Sequence, residues 1–226
     1  MKKSFVLSLL AAAVFATAAR ADVVYDNVTT NAVYFLSSGT SVGQSFVTGG
    51  TPLRFADFLF PQLTGSAPNF ADGFTAGETM NLYANNPATN TPVTTLSLAN
   101  FTLQNTPSGS RIGQTTATPT TTTILTANTR YWLVLAAPNA ASTVNWNAPN
   151  PATYQATSAL GVTLPATNTA FETSNGTTTY FDFADGPQMI YLEAFAVPEP
   201  STYALLALGG VGAFLFVRRG RTAKAA

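Results

Sequence analysis

The sequence contains no histidine and no cysteine, and charged residues make up only 9% of its 226 residues. Without histidine the chain cannot build a Ser-His-Asp or Cys-His catalytic arrangement, or a histidine-ligated zinc site. Without cysteine no disulfide can staple the fold, so stability has to come from a buried core. These absences exclude most hydrolase designs. We therefore expect a noncatalytic protein with no cofactor, no metal site and no catalytic residue.

The formal net charge of zero hides an uneven distribution, because seven of the ten basic residues lie in the two terminal segments. Between Asp22 and Glu199 only Arg54, Arg111 and Arg130 remain against all ten acids, which gives this part a formal charge of −7. An acidic surface repels nucleic acid, and it also repels anionic polysaccharide unless a divalent cation bridges the two. We expect no nucleic-acid partner.

Residues 1–21 have the pattern of a cleaved signal peptide. Lys2 and Lys3 precede an apolar run over residues 5–16, and the segment closes on Ala19-Arg20-Ala21. This order of a basic start, an apolar stretch and small residues is typical of a secretory leader. Cleavage is expected after Ala21, with residues 16–18 as an alternative site.

Residues 198–226 form a second terminal segment with three parts. Pro198, Glu199 and Pro200 cannot continue a strand or a helix, because each proline fixes its φ angle and lacks an amide donor. An apolar run over residues 203–217 follows, which predicts one C-terminal hydrophobic helix. Arg218 and Arg219 then favour the cytoplasmic side, so the residues before Pro198 are expected outside the inner membrane.

These residues resemble the PEP-CTERM sorting signal of Gram-negative bacteria, in which Pro-Glu-Pro precedes a hydrophobic segment and a short arginine-rich terminus. The resemblance rests on Pro198, Glu199, Pro200, the apolar run and Arg218-Arg219. It implies recognition by an exosortase-type membrane transpeptidase, cleavage near Pro-Glu-Pro, and transfer to the cell surface or an exopolysaccharide matrix. An ordinary single-span anchor is the alternative.

Residues 22–197 are expected to form one all-β domain, a single β-sandwich of jelly-roll-like architecture. Thr, Val, Phe and Tyr are frequent, Gly, Pro and Asn recur every ten residues or so, and helical periodicity is absent. Strands are predicted at residues 23–28, 32–36, 43–47, 53–60, 79–84, 92–98, 100–103, 130–136, 143–147, 177–183 and 188–197.

Three stretches carry more specific predictions. Residues 131–135 (Tyr-Trp-Leu-Val-Leu) are expected to form a central strand buried on both faces. The threonine-rich residues 115–123 are expected to form a polar edge strand, the alternative being an O-glycosylated linker. Residues 62–77 are expected to form a long loop.

The body also resembles the choice-of-anchor exported domains, which are β-rich bacterial surface modules found with different C-terminal sorting signals. The residues that carry this resemblance are the strands at 44–46, 53–60, 81–83 and 125–135, together with Pro92, Leu96 and Trp146. It implies no catalytic residues.

Candidate ligand-binding residues in the body are few. Trp146, flanked by Asn145 and Asn147, is expected to be the exposed tryptophan, whereas Trp132 is expected in the core. If the body is a carbohydrate-binding module, Trp146, Asn145 and Asn147 are its glycan contacts. A carboxylate glycosidase would have to draw on Asp57, Asp72, Glu78, Glu172 and Asp182. Calcium could bind at Asp72-Gly73 with Glu78, or at Asp182 with Asp185-Gly186, although Asp-Gly pairs are more often turn residues.

The sequence therefore predicts an exported, noncatalytic surface or matrix protein with a membrane-anchored precursor. Its expected partners are an exosortase-type transpeptidase, the inner membrane and an exopolysaccharide. The alternatives are a carbohydrate-binding module and a carboxylate glycosidase.

Overall fold

The computed structural model describes residues 21–27, 33–62, 78–106, 113–139, 144–149, 156–185, 187–188, 190–197 and 209. These residues form fourteen strands and a three-residue 3₁₀ helix at Phe183–Asp185, so the all-β expectation is confirmed. The strands are β1 Asp22–Asp26, β2 Val33–Gly39, β3 Ser41–Val47, β4 Leu53–Gln62, β5 Thr79–Asn86, β6 Thr91–Thr106, β7 Gly113–Pro119, β8 Ile124–Leu125, β9 Arg130–Ala136, β10 Val144–Pro149, β11 Thr157–Ser158, β12 Ala170–Ser174, β13 Thr177–Phe181 and β14 Tyr191–Ala196.

The strands are arranged in two antiparallel sheets. The large sheet has the order β11-β1-β14-β4-β7-β6-β5-β9-β3-β12-β13, with β8 also paired to β4, and the small sheet is β10-β2. β5 and β6 pair with each other as an antiparallel hairpin. β6 is a single strand of 16 residues where two strands were expected.

The large sheet folds over on itself. β3 and β4 are five places apart in the strand order, which would separate them by about 24 Å in a flat sheet. The ring centroids of Phe46 on β3 and Phe55 on β4 are nevertheless 6.4 Å apart. The two halves of the sheet therefore face each other across one core, as in a sandwich.

β9 is the central strand that residues 131–135 predicted. It lies between β3 and β5, and all five of these residues are buried. Alternate side chains point to opposite faces of a strand, so Tyr131, Leu133 and Leu135 enter the main core. Trp132 and Val134 face the other side, where Phe171 covers them in a second, smaller cluster.

The β12–β13 hairpin forms the cover over Trp132. The Trp132 ring lies 5.6 Å from Phe171 of β12 and 6.1 Å from Tyr180 of β13, measured between centroids. Phe171 can lie this close to the sheet because Gly43 beneath it has no side chain. β12 falls in residues 152–176, for which the sequence predicted no strand.

The edge position predicted for residues 115–123 is wrong, although the strand itself is confirmed as β7. β7 is an interior strand, paired with β4 on one side and β6 on the other. Ala117 is buried in the core, whereas Thr118 is exposed on the opposite face. Threonine suits such a strand because its β-branched side chain favours extended backbone and its hydroxyl can face solvent.

Several predictions fall outside the described residues, namely the signal peptide up to residue 20, most of the loop 62–77 and the C-terminal hydrophobic helix. Among the residues described here, no helix is long and apolar enough to cross a membrane. The chain divides into two compact units, Met1–Ala196 and Val197–Ala226.

Candidate functional site

The first and the last strand of the body pair with each other. Asp22, the first residue after the predicted cleavage site, lies opposite Ala194, and Ala196 lies opposite Leu53 of β4. Because β1 and β14 are antiparallel, the start of β1 and the end of β14 meet at one end of the sheet. We call this the terminal end and define it by Asp22, Leu53 and Ala196.

β14 is an integral strand of the sheet, since it lies between β1 and β4. Leu192 and Ala194 are buried in the main core. The side chain of Phe195 lies on the outer face, where the guanidinium carbon of Arg54 sits 4.1 Å from the centre of its ring. Only Val197 separates the end of β14 from Pro198. The body thus ends where the Pro-Glu-Pro segment begins.

Tyr191, at the start of β14, has the most strongly shifted pKa among the described tyrosines. Its hydroxyl donates a hydrogen bond to Glu193 Oε1 at 2.8 Å. Burial raises the pKa of Tyr191 to about 12, and the nearby Glu193 and Asp26 carboxylates act in the same direction. The phenol therefore stays neutral at any physiological pH.

The predicted sorting residues Pro198, Glu199, Pro200, Arg218 and Arg219 lie outside the described residues. Comparison with known families gives independent information on this segment. Residues 196–220 match the family model of the PEP-CTERM protein-sorting motif. No curated protein and no solved structure matches the chain.

The match defines the class of protein. The chain is an exported protein whose precursor is anchored in the membrane at the cell surface. The match also identifies the processing route, because the PEP-CTERM motif implies sorting by an exosortase. The matched segment begins at the last residue of β14, so the body and the sorting segment meet at Ala196.

The prediction that Trp146 is exposed is wrong. Its side chain is 0% exposed and belongs to the main core together with Val144. Alternate residues on a strand face opposite sides, and the polar neighbours Asn145 and Asn147 therefore gave no information about the side that Trp146 faces. The side chains of Asn145 and Asn147 lie outside the described residues. The prediction that Trp132 is a core residue is confirmed, and its Nε1–H donates to Asn85 Oδ1 at 2.9 Å.

The acidic candidates were considered as metal ligands and as a carboxylate pair, and the structure tests the first of these roles within the described part of the chain. No group of three or more acids that could hold a metal ion occurs there. Asp72 and the side chain of Asp57 lie outside it. Glu172 is on β12 opposite Thr179. Asp182 Oδ1 accepts a hydrogen bond from the backbone amide of Asn168 at 2.8 Å, which links two segments fourteen residues apart in the chain.

Sequence reasoning missed a buried polar network between distant segments. Gln44 Oε1 accepts from the Gln188 amide at 2.6 Å, and Gln44 Nε2 donates to the Thr169 carbonyl at 2.9 Å. Asn27 Nδ2 donates to the Gln188 carbonyl at 3.0 Å, so the network reaches the end of β1. A glutamine close to Phe46 and Val47 in the predicted strand 43–47 was the available signal.

Sequence reasoning also missed a second polar cluster, at Arg130. Its Nη2 donates to Ser45 Oγ at 2.9 Å and to the Thr167 carbonyl at 3.0 Å, and its guanidinium carbon lies 4.9 Å from the Trp132 ring centre. Burial lowers the pKa of Arg130 to about 10. Arg130 therefore remains charged at neutral pH and ties the segment before β12 to β3 and β9.

Proposed function

We propose that this chain is a noncatalytic protein of the cell surface or the extracellular polysaccharide matrix, delivered by cleavage at its C-terminal sorting signal. An exosortase-type transpeptidase reads Pro198, Glu199 and Pro200, cuts near them and releases the body from the inner membrane. The observation that carries this proposal is the sorting-motif match over residues 196–220, directly after the last strand.

The position of the core supports cleavage at this point. The buried residues of the main core run from Val24 to Ala194. Every described member of that cluster therefore lies before Pro198 and stays in the chain after cleavage. A body that keeps these residues after processing can remain folded when it leaves the membrane.

The noncatalytic assignment is supported by the composition of the chain. Histidine and cysteine are absent, which removes the catalytic arrangements that most hydrolases use. We extend the proposal to a jelly-roll-like connectivity and to the choice-of-anchor resemblance of the body. Glycan contact through Trp146 is not part of the proposal, because a ring that stacks on a sugar has to be uncovered.

The proposal is tested by replacing Pro198-Glu199-Pro200 with three alanines in the cell that makes the protein. The apolar run and Arg218-Arg219 remain, so membrane insertion and orientation are expected to be unchanged. Processing is expected to fail, and the full-length variant accumulates in the inner membrane. Replacement of Ser201-Thr202-Tyr203 by three alanines is the matched control, and it should be processed like the wild type.

Two results would contradict this proposal. One is normal release of the triple-alanine variant to the surface or the medium, which would mean that the motif is not read. The other is equal retention of the control variant, which would mean that any change in this segment blocks export.

A further inference from the structure

An open cavity of about 430 Å³ lies on the outer face of the sheet at the terminal end. Its lining includes Arg54, Phe195 and the four threonines Thr118, Thr120, Thr121 and Thr122. The threonines stand there because residues 120–123 run alongside β4, where the Phe55 amide donates to the Thr123 carbonyl at 3.0 Å. The cavity thus combines one guanidinium group, several hydroxyl groups and one aromatic ring.

Arg54 is unusual for an exposed arginine in an acid-rich domain. It forms no ion pair and no side-chain hydrogen bond with the described residues, and its contact there is the stacking on Phe195 at 4.1 Å. Stacking holds the guanidinium plane in place while its N–H groups stay unused. A pre-positioned planar fork of donors matches the geometry of a carboxylate or a phosphate.

The surrounding hydroxyls narrow the choice of ligand. Thr121 and Thr122 are exposed, and neither hydroxyl makes a hydrogen bond within the described residues. Thr120 Oγ1 donates to the Asn100 carbonyl at 3.1 Å and still has lone pairs to accept with. Hydroxyl groups that both donate and accept suit a ligand with several hydroxyls of its own.

We propose that this cavity binds an acidic saccharide, with its carboxylate on Arg54 and its hydroxyls on Thr121 and Thr122. The overall charge of the body opposes anionic polymers, so the attraction has to be local. The arginine supplies it, and at physiological salt solvent ions screen charges that lie more than about 8 Å away. The proposal is independent of the sorting reaction, because binding can be measured on the purified chain.

The test is isothermal titration calorimetry on the full chain in a neutral detergent, with trigalacturonate as the acidic probe. Maltotriose is the neutral probe and inorganic phosphate is the probe for a bare anion site. The wild type is expected to bind trigalacturonate and to bind the other two at least tenfold more weakly. Maltotriose lacks the carboxylate that contacts Arg54, and phosphate lacks the sugar hydroxyls that contact the threonines.

Two variants and one control locate the binding. Arg54→Gln removes the charge and is expected to weaken trigalacturonate binding about tenfold, while Thr122→Val removes one hydroxyl and weakens it about threefold. Arg111→Gln makes the same change in net charge at another position and should bind like the wild type. Thermal unfolding of each variant checks that the fold is kept.

The proposal is overturned if the wild type shows no heat with trigalacturonate, or if Arg54→Gln binds as tightly as the wild type. Equal weakening in Arg111→Gln would show that only net charge matters. Phosphate binding as tight as trigalacturonate binding would reduce the cavity to a simple anion site.

Discussion

Gln44 lies where three distant segments of the body meet, and replacing it by methionine tests whether the buried polar network holds them together. The side chain is 0% exposed and makes three hydrogen bonds. Its Nε2 donates to the carbonyls of Ser45 at 2.8 Å and Thr169 at 2.9 Å, and its Oε1 accepts from the Gln188 amide at 2.6 Å. Methionine has nearly the same shape and makes none of these bonds.

The expected loss of stability follows from what each partner retains. The Thr169 carbonyl also accepts from the amide and the hydroxyl of Ser45, at 2.8 Å and 2.9 Å, so it stays satisfied in the variant. The Gln188 amide loses its bond to Gln44. Losing the hydrogen bonds costs about 1 kcal/mol each, and leaving a buried donor without that bond adds about 1–3 kcal/mol. Because Thr169 is still satisfied, only the bonds to Ser45 and Gln188 are counted, and with the added 1–3 kcal/mol we expect a total of about 3–5 kcal/mol.

The assay is urea unfolding of the segment 22–197, followed by tryptophan fluorescence. Asn100→Leu is the control, because Asn100 is an exposed amide whose side chain makes no hydrogen bond within the described residues. That variant should stay within about 0.5 kcal/mol of the wild type. A Gln44→Met protein as stable as the control would refute the view that the network contributes to stability.

Three further predictions follow from the fold. The segment 22–197 should be soluble and show a β-type circular dichroism spectrum, whereas a helix-dominated spectrum would contradict the fold. Trp146→Ala and Trp132→Ala should each lower the free energy of unfolding by about 3–5 kcal/mol, and a small loss at Trp146 would contradict its burial. The pKa of Tyr191 is raised to about 12 in the folded state, so on raising the pH the unfolded state releases this proton first. Stability should therefore fall between about pH 10 and pH 12. Tyr191→Phe should show a smaller fall in urea unfolding across this range, and an unchanged pH dependence would show that the shift is absent.

The strands that could be predicted are those in which the residue types alone indicate which faces are buried. Residues 131–135 are all apolar, and β9 is buried on both faces as that pattern requires. Val144 and Trp146 are two residues apart on β10 and therefore share a face, which is buried. Which side that face points to depends on where the β10–β2 sheet lies, and local sequence does not contain that information.

Other features depend on pairing between distant segments. The threonines of β7 are compatible with an edge and with an interior strand, and the choice is made by β4 and β6, which bind on either side. β12 has little pattern of its own, and its position is set by pairing with β3 and by Phe171 lying over Gly43. The cavity at Arg54 likewise needs β14, β4 and the segment after β7 to come together.

Intact-mass measurement of the mature protein at its final location tests the central claim most directly. If the C-terminal signal is read and cleaved, the protein recovered from the cell surface or the matrix lacks the residues after the Pro198–Pro200 region, including Arg218 and Arg219. Its mass then corresponds to a chain that begins at Asp22 and ends close to Pro198, with or without an attached group. A mature protein whose mass still includes Arg218 to Ala226 would contradict cleavage and leave an ordinary membrane anchor.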